Sequence, residues 1–168
     1  MLNGTPKERN TCVIVGAGGH GRVVLDILLA CRRHQVVGFL DSNPAVHGRR
    51  MDGLPILGDM TALPQLRAQG VTRAVVAIGD NGVRRSFAQQ LEHADFELIN
   101  AIHPSANLAH TVTIGRNVVI AAGALVCAEL AAVYEFGATA QAIAPVNTIV
   151  IALEVLLRGA RAFVGDGG

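Results

Sequence analysis

From residue 11 to residue 99, short apolar runs alternate with helix-like stripes; from Ile102 onward the apolar period becomes six. Residues 11–15 (TCVIV) form a β-rich apolar run and read as a buried strand. Val23, Val24, Ile27, Leu28 and Cys31 then make one stripe, which predicts an amphipathic helix over 21–33. Residues 36–40 read as a second strand, 42–53 as a loop around Pro44, and 55–58 as a short extended piece. Residues 61–69 read as a helix with Pro64 near its start and Gly70 as its stop. A third strand is predicted at 74–78. Asn81 is placed to cap a helix over 82–93 that buries Val83, Phe87 and Leu91, and a fourth strand follows at 96–99. Strands alternating with helices predict a small parallel, Rossmann-like sheet over residues 11–100.

The sixfold pattern is of another kind. Ile102, Leu108, Ile114, Ile120 and Val126 are all aliphatic, and Ala106, Val112, Val118 and Ala124 repeat a small or β-branched residue four positions after a rung. A period of six fits neither a helix nor a flat strand. It fits a parallel β-helix in which each short side contributes one inward residue. Residues 101–131 are therefore expected to begin a hexapeptide-repeat β-helix. Past Val126 the rhythm weakens: Ala132, Ala138, Ala144 and Val150 keep the step, but Leu130 and Phe136 fill positions that held small residues. Residues 132–168 read as a divergent tail, with a hexapeptide-like fragment returning near 159–167. A lost pattern followed by a restored fragment is what a shifted reading frame or a decayed gene would produce.

Composition adds limits. Apolar residues make up 51% and charged residues 16% of 168, so the chain is globular and long enough for one ordinary domain or two small ones. A net charge of +1, with aromatics at 4%, gives no basis for nucleic acid or an anionic membrane as partner. The longest apolar run, 149–157, contains Glu154 and is too short to span a bilayer. Cys12, Cys31 and Cys127 lack metal or disulfide spacing, no metal site is expected, and no signal peptide is recognised, which together suggest a cytoplasmic protein.

The chemistry concentrates in one loop. A strand, then Gly16-Ala17-Gly18-Gly19-His20-Gly21, then a helix is the context in which a glycine fingerprint holds a nucleotide. Glycines let backbone N–H groups approach a pyrophosphate, and the helix N-terminus offers partial positive charge. Asp41, twenty residues past Gly21, ends the second strand where a carboxylate can accept ribose hydroxyls. The loop does not choose the nucleotide. NAD would require a catalytic second domain that hexads do not supply, and a tight strand–helix turn without ligand also fits the glycines alone.

Taken together, VIVGAGGHG at 13–21, VGFLD at 37–41, LPILG at 54–58, AIGDNGVR at 77–84 and IHPSA at 102–106 resemble the bacterial sugar O- and N-acyltransferases of the sialic acid O-acetyltransferase type, whose relatives acetylate UDP-linked amino sugars. The resemblance implies an α/β domain that holds a UDP- or CMP-linked sugar and a left-handed β-helix that trimerises and binds acetyl-CoA between subunits. It implies that Gly18, Gly19, His20 and Gly21 touch the phosphates or sugar. Asp41 would meet the ribose or base, and Ile78, Gly79, Asn81 and Arg84 would form the other wall. It also implies direct transfer, with a histidine as general base and a backbone N–H stabilising the oxyanion. That histidine lies further along the β-helix in the family, followed by Glu or Asp. Here the six histidines are His20, His34, His47, His93, His103 and His110, so no catalytic residue is assigned. His103 is read as a cap at the domain junction and His110 as an exposed corner. Two alternatives stand beside the acetyltransferase: a non-catalytic sugar-nucleotide-binding module and an NAD-dependent oxidoreductase.

Overall fold

The computed structural model describes residues 10–110, 112 and 114–126, apart from the side chain of Val126. The readings for Cys127, for the end of the 101–131 repeat past residue 126, and for the tail over 132–168 with its returning fragment lie outside the described residues. The chain divides into two compact units, one ending at Ile99 and the other starting at Asn100.

The first unit is built on β1 (Thr11–Val15), whose five residues are all buried. No polar side chain interrupts this strand beyond Thr11, so it can lie at the centre of a sheet covered on both faces. It pairs in parallel with β2 (Gln35–Leu40) on one side and β5 (Arg73–Val76) on the other, and β6 (Glu97–Leu98) completes the order β2-β1-β5-β6. Helices α1 (Gly19–Cys31), α2 (Leu63–Ala68) and α3 (Asn81–His93) lie between the strands in sequence. Val24, Leu25, Ile27 and Leu28 bury one face of α1, while Val23 and Leu29 stay exposed. Each such fully buried aliphatic contributes roughly 1.5–3 kcal/mol.

Several boundaries differ from the sequence expectation. Helix α1 starts at Gly19, two residues early, because the glycine run bends straight into the first turn. The 42–53 loop holds a 3-10 turn at Pro44–Val46, and β3 (Arg50–Met51) pairs antiparallel with β4 (Leu54–Pro55). The 61–69 helix is a 3-10 turn, Met60–Ala62, running into α2. Asp80, not Asn81, caps α3: its Oδ1 accepts the Val83 N–H at 2.8 Å. The buried face of α3 is Arg84, Ala88 and Leu91, whereas Val83 is 45% exposed and Phe87 half-buried.

The second unit pairs β7 (Ala101–Ile102) with β9 (Val119–Ile120) and β8 (Asn107–Leu108) with β10 (Leu125–Val126), all in parallel. Ala101 faces Val119 and Asn107 faces Leu125, an offset of eighteen residues in each case, or three six-residue steps. Val118, Ile120 and Ala124 form a buried cluster against Ile102, Ala106, Leu108, Val112 and Ile114, so the inward positions are those of the hexad ladder. Corners fall at Asn117 and Gly123, six residues apart, both with left-handed backbone (φ +57° and +70°). The Asn100 side chain accepts from Val118 N at 2.9 Å and donates to Gly115 O at 2.7 Å, satisfying two turn groups at once.

Candidate functional site

The site grows out of the end of β1. Gly16 follows the strand with φ +111°, and a Cβ there would lie 2.6 Å from the Ala77 carbonyl oxygen, so no other residue fits. A Cβ on Gly21 would meet Gly16 O at 2.1 Å, so this glycine lets the first turn of α1 rest directly on the strand end. Gly18 and Gly19 differ: a Cβ on either would meet nothing within 4 Å. Their missing side chains keep open the space above the loop.

That space is a cavity of about 640 Å³. Its floor is Gly16, Gly18, Gly19 and His20; one wall is Asp41, Ser42, Asp59 and Thr61, and the other is Ile78, Gly79 and α3 residues Val83, Phe87 and Gln90. Of the residues predicted from sequence, Gly18, Gly19, His20, Asp41, Ile78 and Gly79 line it. Gly21, Asn81 and Arg84 do not: Gly21 packs beneath the loop, and the other two brace a wall from behind.

Helix α1 begins without a side-chain cap and without an acidic residue in its first turn. The first N–H to find an intrahelical acceptor is that of Arg22, bonded to Gly18 O at 3.2 Å. The preceding turn therefore presents N–H groups and the positive end of the helix dipole to the cavity, an arrangement suited to an anion.

Asp41 has a first task that the sequence reading lacked. Its Oδ2 accepts the N–H of Ala17 at 2.8 Å and its Oδ1 accepts that of Asn43 at 2.9 Å. The carboxylate thus ties the glycine loop to the end of β2. Each oxygen retains a lone pair directed elsewhere, so a ribose hydroxyl remains a compatible partner. The Asp41 N–H donates to Gly58 O, which sets the Asp59–Thr61 segment beside it.

His20 Nε2 is buried and has no hydrogen-bond partner among the described residues. Burial, and secondarily the Arg84 charge, push its pKa below the ordinary imidazole value, so the ring is neutral at pH 7. A neutral ring can donate to a ligand oxygen from one nitrogen. His103 is engaged locally: its Nδ1 accepts the Ser105 N–H at 3.1 Å and lies 2.7 Å from Ser105 Oγ, while His110 is exposed.

Sequence reasoning missed the wall formed by Asp59 and Thr61 and the face formed by Phe87 and Gln90. Asp59 accepts from both the N–H and the hydroxyl of Thr61, and an Asp two residues before a Thr at a helix entrance is a cap signature that could have marked the turn. The α3 face had no such marker, because Val83 and Phe87 look like core on periodicity alone.

Residues 11–91 match the family profile described as the PglD N-terminal domain. The chain resembles the sugar acyltransferases in sequence and in fold. It is 31% identical over 110 residues to a UDP-N-acetylbacillosamine N-acetyltransferase from Bacillus subtilis (strain 168), covering 65% of this chain and 50% of that protein. Among solved structures it is 41% identical, with a TM-score of 0.66, to perosamine N-acetyltransferase from Caulobacter crescentus, a variant solved in complex with CoA and GDP-perosamine. That match covers 71% of this chain and 55% of the other. The acetyltransferase domain of PglB from Neisseria gonorrhoeae FA1090, in complex with acetyl coenzyme A, matches at 30% identity and a TM-score of 0.62, covering 70% and 55%. The chain spans about half the length of the curated relative it matches.

Proposed function

We propose that this chain supplies the sugar-nucleotide-binding half of an acetyl-CoA-dependent sugar N- or O-acetyltransferase. One observation carries the reading: a cavity floored by open-faced glycines and an uncapped helix N-terminus, within a segment that matches the PglD N-terminal domain. The diphosphate lies over Gly18, Gly19 and His20, the ribose beside Asp41, and the sugar towards Ile78 and Gly79. The nucleotide is UDP- or CMP-linked on the original expectation, and the perosamine relative adds a GDP-linked sugar to the set to be tested.

The eighteen-residue pairing offset supports reading residues 101–126 as the start of a left-handed hexapeptide β-helix. On this reading acetyl-CoA lies against the β-helix of a homotrimer. In the reaction, the acceptor amine or hydroxyl attacks the thioester carbonyl, the C–S bond breaks and CoA leaves as the thiol. The acceptor proton passes through a general base to the sulfur. Neither His103, closed on Ser105, nor the exposed His110 has the built surroundings of such a base.

Calorimetry with UDP-, CMP- and GDP-linked sugars, NAD and acetyl-CoA tests the reading, together with an assay for thiol release. Binding of a sugar nucleotide is expected. Sugar-nucleotide binding without thiol release would favour the non-catalytic module. Binding of NAD alone would favour the oxidoreductase and overturn the proposal; the matched relatives do not favour that outcome.

A further inference from the structure

Arg84, on the first turn of α3, is only 7% exposed. Its Nη1 donates to the carbonyl oxygens of Ile78 at 2.9 Å and Gly79 at 3.3 Å, and its Nη2 donates to Asn81 Oδ1. All three acceptors are neutral. No carboxylate lies within ion-pair distance of this guanidinium among the described residues. Asp80, which caps α3, is near enough to favour the charge, though no ion pair joins the two. A buried cation held only by neutral acceptors in direct contact is costly, and its persistence asks for a reason.

The surroundings supply one. Ile78 and Gly79, whose carbonyls Arg84 holds, form the cavity wall that faces the glycine loop. With those carbonyls turned onto the guanidinium, the wall does not aim their negative ends at the cavity. The charge also reaches His20 on the floor, where it helps to disfavour the imidazolium. Helix α1 and Arg84 therefore bring positive potential to the same space from two sides.

We propose that Arg84 is a positioning residue of the sugar-nucleotide site, a buried cation that fixes the Ile78–Gly79 wall and adds positive potential for the diphosphate of the ligand, felt without contact. This rests on the proposed function and assigns the residue a role in selecting ligands that carry a diphosphate. Lysine keeps the charge and loses the planar fork; methionine keeps the length and loses the charge.

The test is calorimetry on the full chain with UDP and GDP, each against its nucleoside, at low and moderate salt, for wild type, Arg84→Met and Arg84→Lys. In wild type the nucleoside diphosphate binds more tightly than the nucleoside. Arg84→Met is expected to weaken the diphosphate by roughly tenfold more than the nucleoside and to flatten the salt dependence. Arg84→Lys is expected to keep the preference to within about threefold. A partly unfolded variant lowers the number of sites, whereas the nucleotide-to-nucleoside ratio still reports the mechanism. Equal weakening of both ligands, or loss of the preference in Arg84→Lys, would mean a merely structural role and overturns this inference alone. Failure of wild type to bind either diphosphate overturns the proposed function, and this inference with it.

Discussion

Gly16 and Gly21 are barred from carrying a side chain by the backbone they touch, whereas Gly18 and Gly19 face open space. The sequence shows four glycines in one loop and cannot separate these jobs, because the distinction depends on what crosses the loop in three dimensions. Gly21→Ala should destabilise the fold by roughly 1–3 kcal/mol or more, since its methyl group would collide with the Gly16 carbonyl. Gly18→Ala should leave stability nearly unchanged, because the backbone there is extended (φ −106°), and should instead weaken sugar-nucleotide binding. Urea denaturation and calorimetry on the two variants distinguish these outcomes. His20 gives a pH prediction. Its folded pKa is lowered, chiefly by burial, so the unfolded chain takes up a proton at higher pH than the folded one. Stability contributed by the neutral ring is present above about pH 6.5 and is lost as pH falls through that region towards the folded pKa. The urea midpoint should decline from about pH 7 to about pH 5, and His20→Gln should flatten that decline; an unchanged slope in the variant would contradict the assignment.

Legibility at the scale of elements followed length and burial. The run TCVIV gave β1 at its observed bounds, because a fully buried central strand leaves a continuous apolar signature. Strands β3 and β4 were hidden in a predicted loop, since two-residue strands have no period to detect. The cap of α3 moved from Asn81 to Asp80; both residue types cap well, and only the Asp80–Val83 bond decides between them. The face of α3 was misjudged because Val83 borders the cavity while Arg84, which periodicity would send to solvent, turns inward to two carbonyls. In the second unit β7–β9 and β8–β10 pair at an offset of eighteen residues, three of the ladder's six-residue steps. Ile120, 1% exposed within that cluster, should cost about 2–5 kcal/mol when replaced by alanine. Leu125, 55% exposed, should cost within about 0.5 kcal/mol when replaced in the same way. Comparable losses in thermal unfolding would contradict the inward assignment.

At the scale of the whole molecule, the chain joins a nucleotide-type α/β unit to a unit with sixfold repeats, and its matched relatives are sugar N-acetyltransferases about twice the span of their alignment. The glycine-loop part was legible because strand, loop and helix are contiguous in sequence. The role of Asp41 as a tie to Ala17 was not, since it joins residues twenty-four apart, and the Asp59–Thr61 wall is brought to the site by backbone bonds such as that of Asp41 to Gly58. The account turns on the cavity above Gly18 and Gly19 holding a sugar nucleotide. Titration of the full chain with UDP-, CMP- and GDP-linked sugars, with NAD in parallel, tests this most directly. Saturable binding of at least one sugar nucleotide, weakened by Gly18→Ala, is the predicted result; no binding of any of them, or binding of NAD alone, would contradict it.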